Sequence, residues 1–476
     1  MNETPRSVLS EVVTTGAVNL TEGKTGRTRF WLPKLWDRLQ AASPFGSNVV
    51  LTAGANGILA FVALVTGPIC ARLLGPAGRG ELAAIQNLYW FAATIGMLGL
   101  PEATLYFTAQ RKYDAKRILV SAVLIVLLAW PILYLAVVKL IPVLLAAQSP
   151  SVIAMAKWYL AAVPLYAFVV IPVYSLRGNN DLVRWNMMRI LPGIGWLLML
   201  LIVSIFSRPS PELVAAGYLT MLALLLLPTA LVTFRRIRGR FLPQPIAALP
   251  LLKFGLPLAA STVPTVLNLR MDQMLMAAVL PSKSLGLYVA AAAWSAAVTQ
   301  AFVAVAWVLF PRVAAAPPDQ RAAVLGRGLR LGMAVGLPVT MVVAVLAPVG
   351  VPLLFGKPFQ EAVYPAVVLV FAAGIAGVNV VLEEGLLGLG RSIDVFWGET
   401  FGLAATILGL ALLLKPFGIF GAAMVSLVAY SATTAMLAYR VKLATNVSVK
   451  TLFIPRVSEL KEAWSRIGTF RSRRSF

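Results

Sequence analysis

The sequence predicts an all-α polytopic membrane protein with twelve transmembrane helices in two parallel, pseudo-symmetric six-helix lobes. Three observations carry this prediction. First, 59% of the 476 residues are hydrophobic and 12% are charged, which is more apolar surface than one soluble core could bury. Second, apolar segments of about 20 residues, the length that crosses about 30 Å of hydrocarbon, recur along the chain. Third, six such segments precede the basic stretch at residues 235–240 and six follow it, so both halves enter the membrane from the same side.

The individual spans follow from the apolar runs. In the first half they are residues 49–70, 83–103, 118–141, 152–174, 187–206 and 214–234. In the second half they are residues 254–280, 287–310, 329–354, 363–387, 395–414 and 418–439. A faint internal repeat with an offset of 206 residues supports the division into halves. Three identities carry the repeat: Leu74 with Leu280, Gly80 with Gly286, and Ala84 with Ala290.

These spans divide the chain into five parts. They are a cytoplasmic tail (1–47), two lobes (48–234 and 254–440), a basic cytoplasmic linker between them (235–253) and a second basic cytoplasmic tail (441–476). Residues 30–39 place Trp31 and Trp36 on one helical face, which predicts a helix lying in the membrane interface. Most of the 41 Lys and Arg fall on the side of both termini. The positive-inside rule therefore places the termini in the cytoplasm and explains the net charge of +23 without a nucleic-acid partner.

Composition excludes most catalytic chemistry. The chain has no histidine, which excludes Ser-His and Cys-His nucleophilic sites and histidine metal sites. Its single cysteine, Cys70, excludes an intrachain disulfide and a cysteine-rich metal site. The loops are too short to hold a soluble catalytic domain. We therefore expect neither an enzyme nor a bound cofactor.

Short motifs point to a family. Residues 70–80 (CARLLGPAGRG) and 99–103 (GLPEA) resemble the start of polysaccharide-repeat-unit (Wzx-type) flippases. These belong to the MATE/MOP superfamily, which also holds the multidrug and toxic-compound extruders and the lipid II flippases. Residues 269–273 (LRMDQ), 285–288 (LGLY) and 418–423 (GIFGAA) are similar to later signatures of that family.

The resemblance implies a V-shaped transporter whose two lobes surround a central cavity. Such proteins use alternating access to move polyprenyl-pyrophosphate-linked oligosaccharides from the inner to the outer leaflet of the bacterial cytoplasmic membrane. Their partners are membrane lipids and, on the outer side, components of polysaccharide polymerisation and export. Lipid II flippases commonly carry two further C-terminal helices, so the prediction of twelve transmembrane helices argues against lipid II as the substrate.

Arg270 and Asp272 are the charges placed deepest in a predicted span. A charge near the bilayer centre costs about 2.5–3.5 kcal/mol, so it usually marks a hydrated pathway or a bundle interior. Arg270 suits pyrophosphate because its guanidinium binds two oxygens at once. It could instead form an ion pair, although Asp272 does not face it on a regular helix. Pro257 and Pro264 could break the helix and relax that restriction.

Two roles stay open for Asp272, and Asn268 lies one turn before it. Asp272 is either the titrating group of a proton- or sodium-coupled cycle or a counter-ion that orients Arg270. Asn268 shares its helix face and would add a hydrogen bond to a sugar or a carboxylate.

The remaining candidates are acids and amides. Glu383 and Glu384 could serve coupling or ion pairing, but we rather expect them in water at the cytoplasmic helix end, close to Arg391. Glu102 could gate the pathway or pair with Arg111. The amides of the first two spans either join helices or bind substrate, and relatives use these spans to line the cavity. These amides are Asn56, Gln86 and Asn87.

Three other functions compete with the flippase. A cation-coupled drug or metabolite exporter of the same superfamily would more often have an acidic pocket. A membrane-bound polymerase or ligase would need a large external loop with catalytic residues. A scaffold without transport would have no reason to keep Arg270 and Asp272 inside the membrane.

Overall fold

The computed structural model describes residues 44–111, 113–206, 209–237, 239–243 and 245–453. The predicted interfacial helix at residues 30–39 and the basic segment after residue 453 lie outside the described residues. Residues 1–50 and 51–476 form two compact units, and the first is described only at 44–50, where the first helix begins. All packing below lies within the second unit. Over the described residues the chain is helical, with turns and no strand.

The described residues of the first half form eight helices, α1 to α8, and one π-helical turn. They are α1 (Pro44–Gly96), α2 (Leu100–Gln110), α3 (Ala115–Leu144), α4 (Pro150–Ala161), α5 (Val163–Gly178), α6 (Leu182–Phe206), α7 (Pro211–Met221), the π-helical turn (Leu222–Leu226) and α8 (Leu227–Arg236).

The second half consists of six helices and one short 3₁₀ helix. They are α9 (Pro245–Val279), α10 (Ser282–Ala315), α11 (Arg321–Phe355), the 3₁₀ helix (Lys357–Ala362), α12 (Val363–Gly388), α13 (Ser392–Thr445) and α14 (Val449–Phe453).

Two of these ranges are long, and each consists of two helical segments joined at a glycine. α1 runs for 53 residues and α13 for 54, and each leaves the helical conformation at one residue. That residue is Gly75 in α1, with φ 67°, and Gly418 in α13, with φ 55°. A positive φ is strained for residues with a Cβ and readily adopted by glycine. Each long helix therefore holds two of the predicted spans, joined at a glycine.

The helices confirm a multi-pass membrane protein. Among the described residues, eight helices are long and apolar enough to cross a membrane, or nine if the pair α4 and α5, bent by 41°, is one span. α1 and α13 are among the eight and each covers two predicted spans. The count of twelve spans stays a prediction.

The predicted linker at residues 235–253 is shorter in the structure. α8 continues to Arg236, and α9 begins at Pro245, because proline lacks the N–H group that the first turn of a helix leaves unpaired. The remaining loop docks on Asp114, whose carboxylate caps α3 and accepts a hydrogen bond from the backbone N–H of Arg240 at 3.2 Å. The break expected at Pro257 and Pro264 does not occur, since α9 is continuous over its 35 residues.

The two halves make backbone contact at a pair of glycines 206 residues apart. A Cβ on Gly80 would overlap the carbonyl of Ser282, and a Cβ on Gly286 would overlap the carbonyl of Pro76. Pro76 and Ser282 are also 206 residues apart, so the contact is reciprocal, as a two-fold relation requires. We call this pair the Gly80/Gly286 contact. The apolar core around it includes buried residues of both halves.

A second backbone contact joins the halves near the predicted cytoplasmic ends of their helices. Gly99 has φ 67° and lies between α1 and α2, where a Cβ would overlap the carbonyl of Gly255 in α9. A Cβ on Gly255 would lie 2.6 Å from the carbonyl oxygen of Leu98. We call this pair the Gly99/Gly255 contact. The residues between the two contacts form the interface of the halves.

We expect Gly80→Ala and Gly286→Ala each to destabilise the purified protein by about 1–3 kcal/mol or more, because each methyl group overlaps a carbonyl of the other half. Gly57→Ala is the matched control. Gly57 also lies in α1, but a Cβ there would have no heavy atom within 4 Å, so alanine should be neutral or stabilising by up to about 1 kcal/mol. Thermal unfolding in one detergent measures all three, and identical melting would contradict the close contact.

Candidate functional site

A cationic cavity of about 330 Å³ lies where α1 meets α9 and α10. Because α1 belongs to the first half and the other two helices to the second, both halves supply its walls. We call it the central cavity. Its lining residues are Arg79, Ala83, Gln86, Asn87, Trp90, Arg270, Gln273, Val289, Ala292 and Ala293.

The predicted residues Arg270, Gln86 and Asn87 therefore come together. Nη1 of Arg270 donates to Oδ1 of Asn87 at 3.1 Å. Nδ2 of Asn87 donates in turn to Oε1 of Gln273 at 2.8 Å. This chain of amides fixes the guanidinium without neutralising it. Among the described residues no carboxylate lies within 4 Å of Arg270.

Arg79 is a second cation of the central cavity that the sequence pattern did not reveal. The predicted spans leave it in an external loop, but α1 resumes after Gly75 and carries Arg79 on its next turn. Its Nη1 is buried and has no hydrogen-bond partner among the described residues. Helical spacing could have found it, since residues at i, i+4 and i+7 share a face, and these positions are Arg79, Ala83 and Gln86.

Asp272 points away from Arg270 and is bound by other groups. Oδ2 accepts a hydrogen bond from the hydroxyl of Tyr288 at 2.5 Å, and Oδ1 accepts one from the backbone N–H of Gln273 at 2.7 Å. The Tyr288 hydroxyl also lies 3.2 Å from the hydroxyl of Ser426. Asp272 therefore belongs to a different set of contacts from Arg270, as the spacing on a continuous helix requires.

A second cavity, of about 370 Å³, lies within the second half and contains the acidic residues. We call it the acidic cavity. Polar side chains of α9, α10, α12 and α13 line it together with apolar ones. The polar lining residues are Asn268, Asp272, Gln273, Tyr288, Ser295, Thr299, Asn379, Glu383, Glu399, Ser426 and Tyr430.

Glu383 and Glu399 lie within hydrogen-bonding reach of each other in this cavity. Nδ2 of Asn268 donates to Oε2 of Glu399 at 3.1 Å, and Thr406 donates to Oδ1 of Asn268 at 3.2 Å. Two carboxylates in contact repel when both are ionised, so the pair is stable with a shared proton or a bound cation. Asn268 thus donates the hydrogen bond to a carboxylate that its position in the sequence suggested.

The expectation that Glu383 lies in water beside Arg391 is wrong. Arg391 pairs with Asp394 at 2.5 Å, while Glu383 faces inward to the acidic cavity. Glu384 is half-buried and does not line that cavity. Glu399 is a further acid that was not predicted, although it is the one charged residue of the predicted span 395–414 and the criterion that selected Arg270 would have selected it too.

Glu102 and Asn56 lie outside both cavities. Glu102 and Tyr174 both line a smaller cavity of about 150 Å³, which is enclosed by α1, α2 and α5 of the first half and by Leu258 and Ala259 of α9. Among the described residues no hydrogen bond or ion pair joins Glu102 to Arg111. Asn56 accepts a hydrogen bond at 2.8 Å from Arg189, an arginine that the sequence pattern did not single out.

Comparison with solved structures shows the fold. The lipid II flippase MurJ in an inward closed conformation matches with a TM-score of 0.68 at 13% identity, over 85% of this chain and 89% of that one. An inward-facing multidrug-resistance MATE transporter of the MOP superfamily matches with a TM-score of 0.65 at 14% identity, over 82% and 96%. The MATE multidrug transporter DinF-BH in complex with R6G matches with a TM-score of 0.55 at 14% identity, over 90% and 100%. No curated protein matches by sequence.

The helices and these likenesses show that the chain has the fold of the MurJ and MATE structures. The family is shown by sequence. A family model described as "Polysaccharide biosynthesis protein" matches residues 69–364, well over half of the chain, so the chain belongs to this family. The matched segment contains the central cavity and both glycine contacts.

We expect Tyr288→Phe to destabilise the protein by about 1–3 kcal/mol, because it removes a donor from the carboxylate of Asp272. Tyr439→Phe, at an exposed position, is the control and should be neutral. In the Asp272→Asn background the same change at Tyr288 should cost less, since the carboxylate that needs the donor is gone. Thermal melting of the four variants completes the cycle, and strict additivity would show that the bond contributes nothing.

Proposed function

We propose that the protein is a flippase for a polyprenyl-pyrophosphate-linked oligosaccharide. It moves this polysaccharide repeat unit from the inner to the outer leaflet of the bacterial cytoplasmic membrane by alternating access. One observation carries the proposal: Arg79 and Arg270 share the central cavity, and among the described residues no carboxylate lies within 4 Å of either. The family's link to polysaccharide biosynthesis supports the glycan part of the substrate.

The charge of the central cavity favours an anionic ligand. Arg270 lies inside a predicted span, where a charge near the bilayer centre costs about 2.5–3.5 kcal/mol, and a second arginine in the same cavity repels it. Hydrogen bonds to charged groups contribute about 1.5–3 kcal/mol each, so a pyrophosphate bridging both guanidinium groups offsets these costs. Gln86, Asn87 and Gln273 leave amide groups for hydroxyls of the first sugar, and the polyprenyl tail stays in the lipid.

The same charge argues against a drug exporter as the alternative. A cationic drug would meet two arginines in the central cavity, whereas the acids lie in a separate cavity of the second half. The likeness to MATE transporters concerns the fold alone. Lipid II also carries a pyrophosphate, so the arginines do not separate it from a repeat unit, and the family's link to polysaccharide biosynthesis favours the repeat unit.

The glycine contacts provide the two closures that alternating access needs. The Gly80/Gly286 contact lies at the predicted outer ends of its helices and the Gly99/Gly255 contact at the predicted cytoplasmic ends. Each brings backbone against backbone. In the proposed cycle one contact separates while the other holds, so the central cavity opens to one side at a time.

We further propose that a proton or sodium gradient drives the cycle through Glu383 and Glu399. Their contact changes with the proton or cation held between them. Asp272 stays a candidate for coupling because it lines the same cavity, but its bonds to Tyr288 and Gln273 already satisfy both oxygens. Polymerase or export components on the outer side would receive the flipped unit.

Arg270→Gln and Arg79→Gln should each reduce flipping about tenfold to a hundredfold, the loss of one charge-assisted hydrogen bond. The assay uses proteoliposomes holding undecaprenyl-pyrophosphoryl-N-acetylglucosamine and measures how much sugar becomes accessible to an impermeant lectin. Lys283→Gln is the charge-matched control, since Lys283 pairs with Glu361 on an exposed surface and should be neutral. Normal flipping by both cavity variants would overturn the proposed site.

Glu399→Gln should abolish the response of flipping to an imposed proton or sodium gradient, because the pair with Glu383 can no longer exchange its proton or cation. Glu384→Gln is the matched control, with the same change of charge on the residue next to Glu383 but outside the cavity lining. Asp272→Asn, assayed in parallel, shows whether coupling runs through Asp272 instead. A gradient response that survives Glu399→Gln and disappears in Asp272→Asn would exclude the pair.

A further inference from the structure

A second pair of arginines lies in the first half, on either side of the loop between α5 and α6. The guanidinium carbon of Arg177 is 5.2 Å from the ring centre of Trp185, and that of Arg189 is 4.5 Å from it. Cation–π contacts of this kind contribute about 0.5–2 kcal/mol each. One ring therefore holds two positive charges near each other despite their repulsion. We call Arg177, Trp185 and Arg189 the Trp185 cluster.

The local acid does not neutralise this cluster. Asp181 lies in the loop between the two arginines, but Oδ2 of Asp181 binds Arg184 at 2.6 Å. Among the described residues no carboxylate lies within 4 Å of Arg177 or Arg189. The cluster thus keeps two uncompensated charges, although an acid is available one turn away.

Amide oxygens hold Arg189 in place. Nη2 of Arg189 donates to Oδ1 of Asn56 in α1 at 2.8 Å, and Nη1 donates to Oδ1 of Asn186 at 3.3 Å. Asn186 is buried and itself donates to Thr52 and to the carbonyl of Leu182. This arrangement is the one found around Arg270, whose guanidinium is also bound by an asparagine and not by an acid.

The depth of the cluster suits a lipid phosphate. Arg189 lies seven residues after the start of α6, which is about 10 Å along the helix axis, within the predicted span 187–206. Arg177 lies in the last turn of α5 and is exposed. The cluster therefore extends from the helix ends into the boundary of the hydrocarbon, at the side that the charge pattern predicts to be cytoplasmic.

Shared lining residues connect the cluster to the central cavity. Tyr174 lies one turn before Arg177, close enough for both arginines to act on it electrostatically, and lines the 150 Å³ cavity beside Glu102. Trp90 lines the same cavity and also lines the central cavity with Arg79 and Arg270.

We propose that the Trp185 cluster is a loading site for the phosphate group of a lipid-linked substrate, occupied before the headgroup reaches Arg79 and Arg270. This inference rests on the proposed function and adds a second, earlier site to it. Arg177 and Arg189 bind the phosphate oxygens, while Trp185 and Asn56 hold the two guanidinium groups apart and in position.

Binding is tested on the full-length purified protein with undecaprenyl pyrophosphate as the probe, by native mass spectrometry in detergent. Arg177→Gln and Arg189→Gln should each weaken binding about tenfold, the loss of one charge-assisted contact. Arg184→Gln is the matched control, because it removes the same charge from the same loop region but from an ion pair. It should bind as the unmodified protein does. Wild-type affinity in both cluster variants would overturn the loading site.

A second readout separates loading from structure. In the flipping assay Arg177→Gln and Arg189→Gln should raise the lipid concentration at half-maximal rate, whereas Arg270→Gln should lower the maximal rate. Arg189→Lys should restore much of the binding, since it keeps the charge. If Arg189→Gln fails to fold, Arg177→Gln still decides the question, because Arg177 is exposed and its side chain makes no described hydrogen bond.

Two further results of these assays would separate the loading site from the proposed function. If phosphatidylglycerol competes with undecaprenyl pyrophosphate at equal concentration, the cluster binds bilayer lipid and the loading role is overturned. If the intact protein binds the probe through Arg177 and Arg189 but flips nothing, the proposed function fails while the phosphate site stands.

Discussion

The approach of two backbones at Gly80 and Gly286 is the constraint on which the interface of the halves depends. With no side chain between them, α1 and α10 meet closely enough for Pro76 and Ser282 to lie against the opposite glycines. That approach places the next two turns of α1, with Arg79, Gln86 and Asn87, against α9 and α10. The hydrogen bonds from Asn87 to Gln273 and from Arg270 to Asn87 span only about 3 Å, so they need this spacing. A bulkier contact would separate Arg270 from the amide of Asn87 that holds it.

A common rule governs the charges inside this protein. The acids in or near the membrane already have partners: Asp272 has Tyr288, Glu399 has Asn268 and Glu383, and Asp394 has Arg391. The arginines at Arg79, Arg270 and Arg189 are held by amides or left without a partner among the described residues. Amides orient a guanidinium and leave its charge in place, whereas carboxylates would cancel it. These three arginines therefore keep their positive charge, whereas Asp272 and Asp394 are bound by local donors.

Much of this could be predicted from the sequence, and the limits have physical reasons. Hydropathy located the spans, because apolar runs of membrane length are rare in soluble folds, and Arg270 stood out as a charge inside one. Hydropathy placed a turn near Gly75 and another near Gly418 but did not identify these glycines as the breaks, since glycine occurs in such helices for packing as well as for turning. Arg79 was missed because the predicted spans place it in an external loop, where a charge is ordinarily solvated. Glu399 was overlooked, although it lies inside a predicted span and the hydropathy criterion selects it. The partner of Asp272 could not be inferred, since Tyr288 lies sixteen residues away on another helix and only tertiary packing brings its hydroxyl to the carboxylate.

Helix α9 is a wall of both larger cavities. Three of its side chains, within five residues, form hydrogen bonds with different partners: Asn268 with Glu399, Arg270 with Asn87, and Asp272 with Tyr288. Neighbouring members of this series are two residues apart, which is about 200° around the helix axis. A rotation of α9 therefore shifts the wall that carries Arg270 and the wall that carries Asp272 in opposite directions. In the proposed function, the free energy that a cation contributes by fixing one orientation of α9 reappears, with equal magnitude, in the affinity for the anion on the other face. The proposed cycle thus needs no chain of intermediates between the ion gradient and the lipid headgroup, because one helix links them.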